Sequence, residues 1–385
     1  MHRLPLVRFL SAALVTASVI SLSGCHNFFS CEGKASCPSS GSGTGSGNYL
    51  YLSNSSKGGT YLNGYDVSTG ALTVLSGFPT NISITPTAMV ITPSNGFLFV
   101  STTTAIYSFA ISSTGGLTTV NSGAAVATPP AGVQSMDISP DGNYLYALDL
   151  VGGSVVQYTI SSTGLLSNQL SFSFPIPVPN TNTAQAVKVA PNGNFVVCAV
   201  GTGGDLIYAY SSTAGITNAT PAVISTGSAT AGDFGVAIDT SNFLYLSRTT
   251  GPVVFAVNAA SGAVPTATLV NQTNALSTGG GPHAIALSST AGGNVYIGNL
   301  SASSISGYSE VSGVLTNLSG SPYTAPSTVD GLGRDKSGKY LVAVGYAGTG
   351  GVQLYTIGAS GALTAGATDA TGTTTSIPTA LALTH

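Results

Sequence analysis

A small turn recurs seven times along this 385-residue chain: a Ser/Thr/Ala-rich tetrad closing on a glycine, followed by an apolar residue. The glycines are Gly70, Gly116, Gly164, Gly215, Gly262, Gly313 and Gly361, spaced by 46, 48, 51, 47, 51 and 48 residues. An aromatic residue precedes each by five to seven positions: Tyr65, Phe109, Tyr158, Tyr210, Phe255, Tyr308 and Tyr355. A fixed period of this length marks a repeat architecture, in which each unit buries its apolar surface against its neighbours.

Each period reads as four short strands. In one, Met136–Ser139 leads into the turn Pro140-Asp141-Gly142-Asn143, and Tyr144–Leu148 follows. After Gly152-Gly153 come Val155–Ile160, the Ser161–Gly164 turn and a weaker segment from Leu165. Runs of β-branched and aromatic residues bounded by Gly, Pro, Asn and Ser are strand signals, and no stretch of the repeat region sustains a 3.6-residue period. Four antiparallel strands repeated radially make a β-propeller. The expected fold is all-β, with seven blades over residues 48–385. The second strands are expected to begin at Tyr49, Phe97, Tyr144, Phe195, Phe243, Asn294 and Tyr340.

The first period lacks a leading strand, and the chain finishes on Pro378–Thr384, a near copy of the leading strand Pro86–Thr92. The C-terminal segment is therefore expected to supply the first blade's inner strand and close the ring. Aligned on their first core residue, the seven leading strands have a small residue just before it: Ala88, Ser135, Ala186, Gly235, Ala284, Gly331 and Ala380. One position earlier stand Thr87, Gln134, Gln185, Phe234, His283, Asp330 and Thr379. Inner strands converge on the axis and leave little room for side chains. The earlier position, polar in six of seven blades, is expected to open onto one mouth of a central channel.

The N-terminus reads as a leader. Arg3 and Arg8 precede an apolar run from Phe9 to Leu22 that is too short to span a bilayer. The tetrad Leu22-Ser23-Gly24-Cys25 resembles the lipobox of bacterial lipoproteins, which implies a signal peptide over 1–24 and lipidation of Cys25. Residues 25–47, rich in Gly and Ser, read as a flexible tether between membrane and domain. His26 rather than aspartate after the cysteine resembles an outer-membrane address. The expected location is the cell envelope, lipid-anchored on an extracytoplasmic face. Cys31 and Cys37 could pair there, whereas Cys198, in the apolar run Phe195–Ala199, reads as a buried thiol.

Only 5% of the chain is charged. From Asn48 onward six Lys and Arg face 11 Asp and Glu, so no basic surface exists for nucleic acid. Gly-x-Ser-x-Gly is absent, which excludes a nucleophile elbow. A single histidine inside the repeats, His283, argues against a multi-histidine metal site. No cofactor is required by any motif; a channel-bound calcium ion is compatible with the aspartates, but no spaced motif demands it.

The run Ile138–Tyr146 resembles the SPDG-x-YLYV signature of bacterial seven-bladed propellers. With the Tyr-x-Ile/Ser-Thr-Gly-x-Leu turn, it is most similar to the lactonase-type group related to 6-phosphogluconolactonase. The resemblance implies His, Arg and Glu side chains at the channel mouth, and Gly281-Pro282-His283 matches the family's leading-strand start. It departs in one respect: after Cys25 the only glutamates are Glu32, in the tether, and Glu310, at the end of a third strand. Lactone hydrolysis needs an activated water and a donor for the developing oxyanion. The candidate catalytic set is His283 as base, Arg248 and Asp330, with Asp149, Gln134, Gln185, Asp233 and Arg334 contacting substrate. Two readings stay open: a lactone hydrolase, or a non-catalytic envelope propeller that binds a glycan, small molecule, peptide or protein at the channel mouth.

Overall fold

The computed structural model describes residues 45–56, 59–129, 132–149, 152–175, 186–201, 204–224, 232–260, 263–272, 280–325, 327–345, 351–369 and 377–385. The leader, Cys25, Cys31, Cys37, most of the tether and Gln185 lie outside the described residues.

Seven antiparallel sheets are arranged around one axis. From blade 2 to blade 7 the inner strands are Ala88–Ile91, Val133–Ile138, Ala186–Val189, Asp233–Ile238, Pro282–Ser289 and Gly331–Arg334. Blade 1 takes its inner strand from the end of the chain: Ile377–Leu383 pairs with Tyr49–Ser56, with Leu52 opposite Leu381. The C-terminal segment thus closes the ring. Second strands begin at the expected residue in six blades; in blade 6 the strand starts at Gly292, because Ser289 and Gly292 already pair across the turn.

Outer strands are continuous in blades 3, 5 and 7 and broken in blades 1, 4 and 6. Each break has a proline immediately before its second piece: Pro79, Pro221 and Pro322. Proline offers no N–H to a ladder, so each second piece begins at the residue after it.

The core consists of apolar layers between adjacent blades. Phe97, Phe99, Met136, Leu145 and Val156 fill the layer between blades 2 and 3. Across the closure, Leu50, Leu52, Val342, Val344 and Leu354 fill the layer between blades 7 and 1 in the same manner. All seven repeat aromatics are buried.

Among the described residues, which leave out Gly262, the recurring turn glycine also belongs to these layers. Gly164 has φ +77°, and a Cβ there would lie 2.5 Å from the ring of Phe97, the first residue of the preceding blade's second strand. Gly70 repeats this across the closure, 2.7 Å from the Tyr340 hydroxyl. The glycine is thus required twice, for its backbone conformation and for the neighbour's ring. In blade 2 the positive φ falls on Gly115 rather than the expected Gly116. The Gly115 carbonyl accepts the Tyr51 hydroxyl at 2.7 Å.

Candidate functional site

The inner strands of all seven blades surround a central channel of about 890 Å³. Thr87, Gln134, Phe234, His283, Asp330 and Thr379 line it. These residues occupy the strand-start position, so they lie at the same end of the inner strands.

His283 is the second residue of blade 6's inner strand, and Asp330 immediately precedes that of blade 7. His283 Nδ1 lies 3.1 Å from Asp330 Oδ1 and 3.2 Å from the Asp330 carbonyl. Both are acceptors, so Nδ1 carries the proton and Nε2 is left as the base in the neutral ring. The Phe234 ring packs beside the imidazole at a centroid distance of 5.7 Å. The backbone beneath is fixed by the Ser247 hydroxyl, which donates to the His283 carbonyl at 2.5 Å. The two side chains remain partly open, at 24% and 36% exposure. Burial alone would depress the His283 pKa, but hydrogen bonding and the charge of Asp330 outweigh it, and the net shift is upward from 6.5.

Arg248 is not brought to this mouth. It is 1% exposed, and its Nε and Nη2 grip both carboxylate oxygens of Asp233 at 2.7 and 2.9 Å. A guanidinium committed to a bidentate buried partner is a structural cross-link between the first and second strands of blade 5. Asp205, fully buried beside them, has its pKa pushed well upward by burial and by the Asp233 charge. Asp149, also fully buried, ends the second strand of blade 3 and caps the following turn, accepting the Gly152 amide at 2.8 Å. Of the residues expected to contact substrate, Asp149 and Asp233 are therefore absent from the channel lining, while Gln134 and Arg334 belong to it. Arg334 sits toward the opposite end: it lies four residues along the strand from Asp330, about 13 Å at strand rise.

Glu310 accepts the Gly313 amide at 2.5 Å in the turn after a third strand, away from the channel lining. No glutamate lines the channel among the described residues. Nor does any group of three His, Cys, Asp or Glu gather there to hold a metal ion. Cys198 is fully buried, and burial pushes its thiol pKa up.

Two channel residues went unnoticed in the sequence, Asp137 and Lys188, which pair at 3.4 Å. Both stand one residue after the first core position, on neighbouring inner strands. Opposite charges at equal height on adjacent strands are a legible signal for such a pair.

Comparison with known proteins places the fold. The family model "Lactonase, 7-bladed beta-propeller" matches residues 47–376. Among solved structures, a putative 6-phosphogluconolactonase from Bacteroides fragilis superposes with TM-score 0.66 at 19% identity, covering 89% of this chain and 99% of that one. A periplasmic gluconolactonase from Pseudomonas aeruginosa gives TM-score 0.68 at 16% identity, covering 88% and 99%. A putative 6-phosphogluconolactonase from Bacteroides uniformis gives 0.64 at 17%, covering 88% and 99%. No curated protein matches the sequence. With the family model spanning nearly the whole repeat region and seven four-stranded blades closed by the C-terminal strand, the chain belongs to the seven-bladed β-propeller lactonase family.

Proposed function

We propose that this protein hydrolyses a lactone at the channel mouth, with His283 as general base and Asp330 as the group that orients and charges it. The observation that carries the reading is the His283–Asp330 pair, partly open to the channel, with Nδ1 engaged and Nε2 available. In the reaction Nε2 takes a proton from water as its oxygen attacks the lactone carbonyl. The tetrahedral oxyanion then collapses, the ring C–O bond breaks, and the leaving oxygen takes the proton back from Nε2. The product is a hydroxy acid. Gln134, exposed on blade 3 and three blades across the ring from His283, is the amide donor suited to the developing oxyanion.

The substrate class follows from charge. Arg248 is neutralised by Asp233. Lys57 apart, the segments of the repeat region outside the described residues contain no Lys or Arg. The mouth at His283 therefore suits an uncharged lactone rather than a phosphorylated one. Membrane attachment through Cys25 fits such a substrate, because it places the domain outside the cytoplasm, as the name of the Pseudomonas neighbour states for that protein.

The test is hydrolysis by the purified chain across a panel of uncharged and phosphorylated lactones, with His283→Ala alongside. General base catalysis contributes about 10²–10⁴-fold, so the variant should lose that much. Absence of turnover on every lactone, or an undiminished rate in His283→Ala, overturns the assignment and leaves the channel as a ligand-binding site.

A further inference from the structure

Cations are sorted along the channel. Of the six Lys and Arg from Asn48 onward, Arg248 is neutralised and Lys57 lies outside the described residues. The other four are Lys188 on the inner strand of blade 4, Arg334 on that of blade 7, and Lys336 and Lys339 in the turn that follows. Lys188, Arg334 and Lys336 line the channel, toward the end opposite His283. Blades 4 and 7 are three steps apart in a ring of seven, so Lys188 and Arg334 approach from opposite sides. His385 lines the same end of the channel, its ring at 3.2 Å from the Ile91 carbonyl.

The carboxylates at this end are already committed. Asp335 accepts from Asn48, the Ser337 amide and hydroxyl, and the Tyr340 amide. Asp141 takes the Ser139 and Tyr210 hydroxyls, and Asp239 takes two turn amides and the Tyr245 hydroxyl. Asp137 holds the Val189 amide at 2.8 Å as well as Lys188, which is itself 43% exposed. Among the described residues, Lys336 Nζ donates only to the Ser46 carbonyl, at 3.3 Å. Arg334 is different. It is half-buried, and its five donors have no acceptor among the described residues. Its Nη1 lies over Gly338, 3.1 Å from where a Cβ would stand. A half-buried guanidinium without acceptors is poised for an oxyanion, which its planar fork binds through two parallel hydrogen bonds.

We propose that this second mouth is an anion-binding site for a small molecule bearing a phosphate or carboxylate group, held by the Arg334 fork and Lys188 with Lys336 at the rim. The site is separate from the His283 mouth and does not depend on hydrolysis.

Calorimetric titration of the full chain with inorganic phosphate and, in a second arm, citrate tests this at low ionic strength. Saturable binding of either anion, weakened by 0.5 M sodium chloride, is expected, and the tighter arm names the preferred group. Arg334→Gln should weaken binding about tenfold or more, and Arg334→Lys by less, since it keeps the charge and loses the fork. Lys339→Gln, off the channel lining, and His283→Ala should bind like wild type. No saturable binding by the wild-type chain overturns the proposal. So does wild-type affinity in Arg334→Gln. Should that variant fail to fold, unchanged affinity in Arg334→Lys and Lys188→Gln together overturns it.

Discussion

Replacing Arg248 separates a structural cross-link from a catalytic clamp. Arg248→Gln removes a charge that is 1% exposed and leaves Asp233, fully buried, without its bidentate partner. Losing one member of a buried ion pair costs about 3–5 kcal/mol, because the remaining charge is desolvated and uncompensated. A propeller of this length has an unfolding entropy of about 0.7 kcal/mol per degree at its midpoint, so the melting temperature should fall by about 4–7 °C. Adding Asp233→Asn should restore part of that loss, since the stranded carboxylate is gone, and the two substitutions should be strongly non-additive. Calorimetric melts give the stability, and lactone hydrolysis well below the transition gives the chemistry. Because the guanidinium does not line the channel, kcat/KM of folded Arg248→Gln should stay within about threefold of wild type. A stability loss under about 1 kcal/mol would refute the buried-pair argument. A large loss of kcat/KM in a folded variant would return Arg248 to the substrate.

Three other substitutions probe the architecture. Gly70→Ala should destabilise by about 2–4 kcal/mol, combining positive φ with overlap of the Tyr340 hydroxyl; in a Tyr340→Ala background, denaturation should show a smaller penalty. Asp205→Asn should stabilise at neutral pH: the folded pKa is raised, so this carboxyl's contribution is intact below its unfolded value near 3.9 and is lost as pH rises toward the folded value. Melts of that variant should match wild type at about pH 3.5 and exceed it at pH 7. Deleting Ile377–His385 strips the partner from Tyr49–Ser56 and uncovers Leu50, Tyr51 and Leu52, each fully buried. At about 1.5–3 kcal/mol per exposed core side chain, the truncated chain should show no cooperative melt.

The blades were legible because their signals are local and repeated. Turn glycines, preceding aromatics and inner-strand small residues each recur in register, and the near identity of Pro378–Thr384 with Pro86–Thr92 exposed the closure. His283 and Asp330 were legible as members of one aligned position, since a ring brings equal positions to one mouth. Arg248 was not resolved, because both a rim clamp and an ion pair put arginine at a strand end, and only its hydrogen-bond register with Asp233 decides between them. Arg334 stands where other inner strands carry Ile, Val or Leu, and that departure was visible. Its place at the far mouth required the direction of the strand. Asp205 carried no sequence signal, since its burial beside Asp233 arises between blades 4 and 5.

The pH dependence of lactone hydrolysis, compared between wild type and Asp330→Asn, tests the His283–Asp330 assignment most directly. In the proposed mechanism the neutral imidazole is the working form and Asp330 stabilises the cation, so wild-type kcat/KM should rise with pH through an apparent pKa above 6.5. In Asp330→Asn the carboxylate charge is gone and burial is opposed only by the remaining hydrogen bond to the residue-330 carbonyl, so the acid limb should move to lower pH while the plateau rate falls. An acid limb that stays in place in Asp330→Asn would contradict the account.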